Sequence, residues 1–251
     1  MNDDEPARWF GRPVGETRWM LEFARLSVDP VFLGGPGLPR GDGRPVLLMP
    51  GFLAGDQTLA VLAGWLWRLG YRPRTCGFVA NVSCSERALE RVERRADALH
   101  RRYGRRVALI GHSRGGHFAR ALAAGRPELV SHAISIGADL NRMFGISAPT
   151  QFAVAATRRA LRATGRAGDE HCLTRECPCR FTLDYSAPFP ADRVRLTSIY
   201  TRADGVVHWR SCLVPYGDCV EVAGSHTGLI FNRKTYRALA TALAKPELEP
   251  S

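Results

Sequence analysis

The chain has 251 residues, 45% of them hydrophobic and 24% charged. That supplies the core of one large α/β domain or two small ones and excludes an intrinsically disordered chain. The net charge of +11 is almost wholly arginine, with Lys234 and Lys245 the only lysines. The arginines are spread through every segment without a helix-turn-helix, zinc finger or aromatic-interleaved strand, so no nucleic-acid partner is expected.

The first residues, Met1-Asn-Asp-Asp-Glu5, are acidic. A secretory signal needs a basic start and then an apolar core, and no run of about 18 apolar residues follows anywhere. A cytoplasmic location is therefore expected, with weak association to an anionic membrane surface as the partner that the basic charge supports. Trp9, Phe10, Trp19, Met20, Phe23 and Leu26 mark an N-terminal segment in which Glu16 to Leu26 reads as a helix packed on a body elsewhere. The glycine- and proline-rich loop from 30 to 44 completes an N-terminal unit of residues 1–44. It is not a dinucleotide-binding loop, which should follow a strand and open a helix.

Pro45-Val-Leu-Leu-Met49 is a compact apolar run of the kind buried on both faces in a parallel sheet. After the loop Pro50 to Gly55, Asp56 is placed to cap a helix on which Leu59, Leu62, Leu66 and Leu69 recur at helical spacing. Tyr71 to Phe78 is a weaker strand. Ser83 and Glu86 have the spacing of a capping box, opening a helix with the stripe Leu89, Val92, Ala96, Leu99 and Tyr103. Its arginines (91, 94, 95, 101 and 102) fall mostly off that stripe and form a solvated face.

Val107 to Ile110 is the next strand, and a helix from about Arg114 to Ala124 follows it at once. Val130 to Ile136 is another strand. The alternation then stops from Gly137 to Asp192, where residues 138–193 read as a cap or lid inserted into the domain. Phe152 to Arg166 in it can form a basic, alanine-rich helix. Val194 to Tyr200 and the short Val220-Glu-Val222 are the last strands, and a helix from Asn232 to Leu243 closes the pattern. Alternating strands and helices specify an α/β fold with a mostly parallel sheet of about six strands covered on both faces.

Between strand and helix stands Gly111-His112-Ser113-Arg114-Gly115-Gly116. G-x-S-x-G in this position is a nucleophile elbow, a sharp turn that lifts a serine hydroxyl above the sheet. The plainer alternative is an N-cap serine. A serine nucleophile needs a base, and the base needs a partner that fixes its tautomer. In a parallel sheet these stand on loops at the carboxyl ends of strands. Two such loops offer Asp204 and His226, giving the chain order Ser113, Asp204, His226. Asp139, after the strand that follows the elbow helix, is the rival acid. Two backbone donors must hold the oxyanion: Arg114 N–H at the helix start, and Phe52 from the loop after the first strand, with Leu53 as second choice. Leu53 and His112 are expected to line the substrate pocket.

These pieces resemble those of α/β-hydrolases of the esterase/lipase type. They are Pro50-Gly51-Phe52, Gly111 to Gly116, Asp204-Gly205-Val206-Val207 and Ser225-His226-Thr227-Gly228-Leu229. The resemblance covers roughly residues 45–243 and is particularly to bacterial lipases, which also lack the first strands of the full fold. It implies hydrolysis of a small-molecule ester or lipid through an acyl-enzyme, without a cofactor. The same triad serves an acyltransferase or thioesterase, and a non-catalytic binding protein on this fold is the third alternative. Pro50-Gly51 stands where many such lipases have His-Gly, and Arg114 where glutamine or a small residue is common. Of the seven cysteines, Cys177-Pro-Cys179 has the wrong spacing for a structural zinc pair, so no metal is expected. Disulfides Cys76–Cys84 or Cys212–Cys219 are the alternatives to free thiols.

Overall fold

In the computed structural model, which describes residues 13–34, 37–167 and 171–248, six strands lie side by side in one sheet. In chain order they are β1 (Pro45–Met49), β2 (Arg72–Thr75), β3 (Val107–His112), β4 (Val130–Ile136), β5 (Arg195–Tyr200) and β6 (Asp218–Glu221). Their spatial order is β2-β1-β3-β4-β5-β6, and every pair is parallel. Trp9 and Phe10, Gly35-Pro36 of the glycine-rich loop and residues 168–170 of the insertion lie outside the described residues.

The apolar runs become central strands because side chains alternate faces and both faces are covered. Leu47, Met49, Val107 and Leu109 enter the core on one side. Val46, Leu48, Ala108 and Ile110 enter the core on the other. The first side is closed by α3 (Ser85–Tyr103), α4 (Arg114–Gly125) and α6 (Arg180–Ser186), the second by α1 (Trp19–Ser27), α2 (Ala60–Arg68) and α7 (Arg233–Ala244). β2 and β6 are the edges. Pro73 has no N–H to give a ladder, which suits an edge strand.

Helix interiors follow the sequence patterns closely. Leu59, Leu62, Leu66 and Leu69 are all buried, and the six arginines of α3 face solvent. Gly104 ends α3 in the left-handed conformation at φ 61°, a geometry that costs glycine nothing.

Two helix starts differ from the sequence reading. Asp56 does not cap α2. A 3-10 turn, Asp56–Leu59, comes first, and the carboxylate instead accepts the N–H of Gly77 at 2.6 Å. The capping box of Ser83 and Glu86 does not form either. α3 begins at Ser85 with Cys84 as N-cap, and Glu86 accepts the N–H of Phe181 at 3.1 Å. In both cases a distant backbone donor takes the carboxylate that local spacing had assigned to the helix end.

The insertion between β4 and β5 carries α5 (Ala148–Ala163) and α6. Phe181 of α6 packs in the main core against Phe118, and Tyr185 packs on Phe181. The thiols of Cys76, Cys212 and Cys219 are unbridged, so neither of the two disulfide alternatives forms. No described helix is long and apolar enough to cross a membrane.

Candidate active site

The carboxyl ends of β1, β3, β4 and β5 open into a cleft of about 440 Å³. Ser113 stands at its floor. Its backbone is at φ 50°, ψ −122°, a region that L residues avoid and that stores on the order of 1–3 kcal/mol. The strain is held by Ser113 N–H on Ile136 O and Gly116 N–H on Ser113 O, both 2.8 Å. Glycine is required on both sides. A Cβ on Gly111 would overlap the Gly115 carbonyl, and one on Gly115 would overlap the Met49 carbonyl. Gly116 lets α4 approach β4, since a Cβ there would come within 2.7 Å of Ala138 and Ser135. The Ser113 side chain makes no cap hydrogen bond to α4, so the N-cap alternative does not describe it.

His226 lines the same cleft. Its Nδ1 lies 2.8 Å from Asp204 Oδ2, and both residues are buried. The second carboxylate oxygen of Asp204 accepts Val206 N–H at 2.8 Å and Val207 N–H at 2.7 Å. A carboxylate only accepts, so Nδ1 carries a proton and Nε2 is left as the basic nitrogen when the ring is neutral. Burial lowers the affinity of His226 for a second proton. The charge and hydrogen bond of Asp204 outweigh that, with smaller contributions from Glu16 and Asp139, and the net displacement is upward. Among the described residues no hydrogen bond joins Ser113 to His226. Catalytic contacts of this kind commonly tighten only when substrate binds.

Asp139 is occupied elsewhere. Its Oδ1 lies 2.5 Å from His117 Nε2 and its Oδ2 accepts Gly145 N–H at 2.9 Å. His117 and Asp139 nevertheless face the cleft, a second imidazole–carboxylate pair that the sequence did not signal.

Phe52, Leu53, Arg114 and His112 all line the cleft. The Phe52 loop is rigidly held. Phe52 forms an isolated bridge to Asn81, Asn81 N–H donates to Ala54 O at 2.8 Å, and Asn81 Nδ2 donates to Pro50 O at 2.8 Å. Leu53 is at φ 62°. His112 Nε2 donates to the backbone oxygen of His226 at 3.1 Å. Burial, then the neighbouring charge of His226, holds its pKa down to about 3, so His112 stays neutral and braces the His226 backbone.

The side chain of Arg114 has a separate task. Its guanidinium donates to Asn81 O and Oδ1, to Ser83 O and to Ser85 Oγ at 2.7–3.2 Å. It thereby ties the loop before α3 to the elbow and, through Asn81, to the Phe52 loop. Arg114→Ala leaves these buried acceptors without donors and is expected to cost about 2–4 kcal/mol, read as a lower urea midpoint with unchanged slope.

Sequence reading also missed Glu16 and Glu22, on the N-terminal 3-10 turn Pro13–Arg18 and on α1. Glu16 accepts the N–H groups of Gly205, His226 and Thr227. Glu22 accepts the N–H and hydroxyl of Ser225. The available signal was the pair Gly224 and Gly228 around His226. A Cβ on Gly228 would collide with the Glu22 carboxylate, and one on Gly224 would come within 3.1 Å of it.

The parallel sheet, its order and the crossing helices define an α/β-hydrolase fold. No protein-family model matches the chain, and no curated protein matches it. Solved structures do. A lipase of Bacillus licheniformis in its mature form superposes with a TM-score of 0.60 at 12% identity, covering 82% of this chain and 94% of that one. A monoacylglycerol lipase of Paleococcus ferrophilus gives 0.54 at 17% identity, covering 80% and 95%. The thioesterase domain of the curacin biosynthetic pathway gives 0.53 at 16% identity, covering 82% and 92%. At these identities the likeness is one of fold, and the activity has to be argued from the site.

Proposed function

We propose that the chain is a serine hydrolase that cleaves carboxylic esters through an acyl-enzyme. One observation carries this: a serine on a strained elbow shares a cleft with an imidazole whose far nitrogen is fixed by a buried carboxylate. Ser113 Oγ attacks the ester carbonyl as His226 Nε2 takes its proton. Asp204 fixes the ring and stabilises the imidazolium. The Arg114 and Phe52 amides face the developing oxyanion, a contribution of several kcal/mol in such sites. The imidazolium then protonates the departing alkoxide, and water repeats the sequence to release the acid.

The cleft walls suit an acyl chain or lipid. Phe52, Leu53, Met143, Phe144, Val154 and Ile230 line it, several from the insertion. Weak attachment to an anionic membrane belongs to the same proposal, since a net charge of +11 draws the protein to such a surface. A thioesterase or acyltransferase reading is favoured by one observation, the thioesterase domains among the similar structures. A fluorophosphonate probe should label Ser113, and His226→Ala should suppress the labelling. Product analysis with esters, thioesters and alcohol acceptors then separates the two readings. A probe that leaves Ser113 unmodified refutes both and favours a binding protein on this fold.

A further inference from the structure

We propose that Glu16 is a positioning residue that locks the acid loop to the base loop. The proposal rests on the reading of Asp204 and His226 given above.

The Asp204 and His226 side chains meet, but they stand on separate loops after β5 and β6. One carboxylate bridges the two backbones. Glu16 Oε1 accepts Gly205 N–H and His226 N–H, both at 3.0 Å, and Oε2 accepts Thr227 N–H at 2.8 Å. Gly205 directly follows the acid, and His226 is the base itself. Charge-assisted bonds of this type are stronger than neutral ones. Three on one side chain fix the spacing and orientation of the two loops.

The support behind Glu16 is built to hold it there. Further along, on α1, Glu22 accepts Ser225 N–H at 2.9 Å and Ser225 Oγ–H at 3.2 Å. Trp19 and Phe23 pack on Phe231 with ring centroids 5.7 and 5.4 Å apart. Phe231 ends the turn that follows His226. Gly224 and Gly228 give up side chains where the Glu22 carboxylate must pass. A helix serving only to cover apolar surface would need none of this polar complementarity.

Glu16 also acts by charge. The groups that bear on the His226 imidazole are Asp204, Glu16 and Asp139, which favour its protonated form, and the neighbouring His112. Removing the Glu16 charge makes the imidazolium harder to form, so the base becomes available at lower pH.

The test compares Glu16→Ala and Glu16→Gln with the parent chain on a p-nitrophenyl ester, across pH. Glu16→Ala should lower kcat by about tenfold or more with KM little changed, because the loss is in alignment for the transition state. Its acid limb in kcat/KM should move to lower pH. Glu16→Gln keeps a carbonyl oxygen but no charge, so it should recover part of the kcat while the limb stays displaced. Unchanged kcat in Glu16→Ala, or an acid limb that moves in neither variant, overturns the proposal. Should Glu16→Ala fail to fold, the limb of Glu16→Gln decides. The test also stands apart from the hydrolase reading. In a Ser113→Ala background, an NMR pH titration of His226 needs no turnover: a midpoint lowered by Glu16→Gln supports the clamp, and an unmoved midpoint refutes it.

Discussion

Ser113→Ala is expected to lower p-nitrophenyl ester turnover by at least about 10⁴-fold while the melting temperature falls by no more than a few degrees. The size follows from the chemistry. In the proposed mechanism no acyl-enzyme forms without the hydroxyl, and what survives is the modest acceleration that such sites give through oxyanion binding alone. The small effect on stability follows from the structure. The Ser113 side chain makes no cap hydrogen bond, and its strained backbone is held by main-chain bonds to Ile136 and Gly116 that alanine retains. Steady-state rates and thermal melts of the two proteins check both parts. Turnover that persists in the variant removes Ser113 from the mechanism.

Gly115→Ala, at the start of α4, is expected to be severely destabilising. The new Cβ would overlap the Met49 carbonyl oxygen and lie 2.7 Å from its carbon and 3.0 Å from the Met49 Cβ. Those are largely backbone atoms of β1, which β2 and β3 hold from either side, so they have nowhere to yield. Overpacking of this severity should cost at least about 3 kcal/mol, or roughly 6–12 °C in melting temperature for a chain of this size. Gly64→Ala is the control. It lies inside α2, its Cβ would meet only Arg68 Nη1 at 3.7 Å, and the gain in helix propensity should raise stability by about 1 kcal/mol. Differential scanning calorimetry of both variants tests the pair, and a Gly115→Ala protein that melts with the parent would refute the steric account of the elbow.

Much of the fold was legible because its signals are local. Val107 to Ile110 announces a strand by composition, and the glycines after it mark where backbone passes backbone. The stripe from Leu89 to Leu99 places α3 without reference to anything else. The order of Ser113, Asp204 and His226 likewise needs only loops counted along a parallel sheet. What stayed hidden is what polar side chains do at long range. Glu86 looked like half of a capping box, but it serves Phe181, 95 residues away. Asp56 looked like an N-cap, but it serves Gly77. Arg114 looked like a departure from a family pattern, and its reason lies in Asn81, Ser83 and Ser85, about 30 residues earlier. Periodicity reports which face is buried. It carries no information about which distant donor a carboxylate will meet.

The bonds from Glu16 and Glu22 to the base loop span 203 to 211 residues of chain. Contacts of such sequence separation carry a loop-closure cost that local helices escape, and they form late in folding. During synthesis the segment carrying these two glutamates leaves the ribosome 203 to 211 residues ahead of the backbone that it binds. Until that part of the chain arrives, the rings of Trp19 and Phe23 lack their native partner, Phe231. The proposed ester turnover would, on this architecture, report the final docking event in a refolding reaction and lag behind any spectroscopic signal from the sheet.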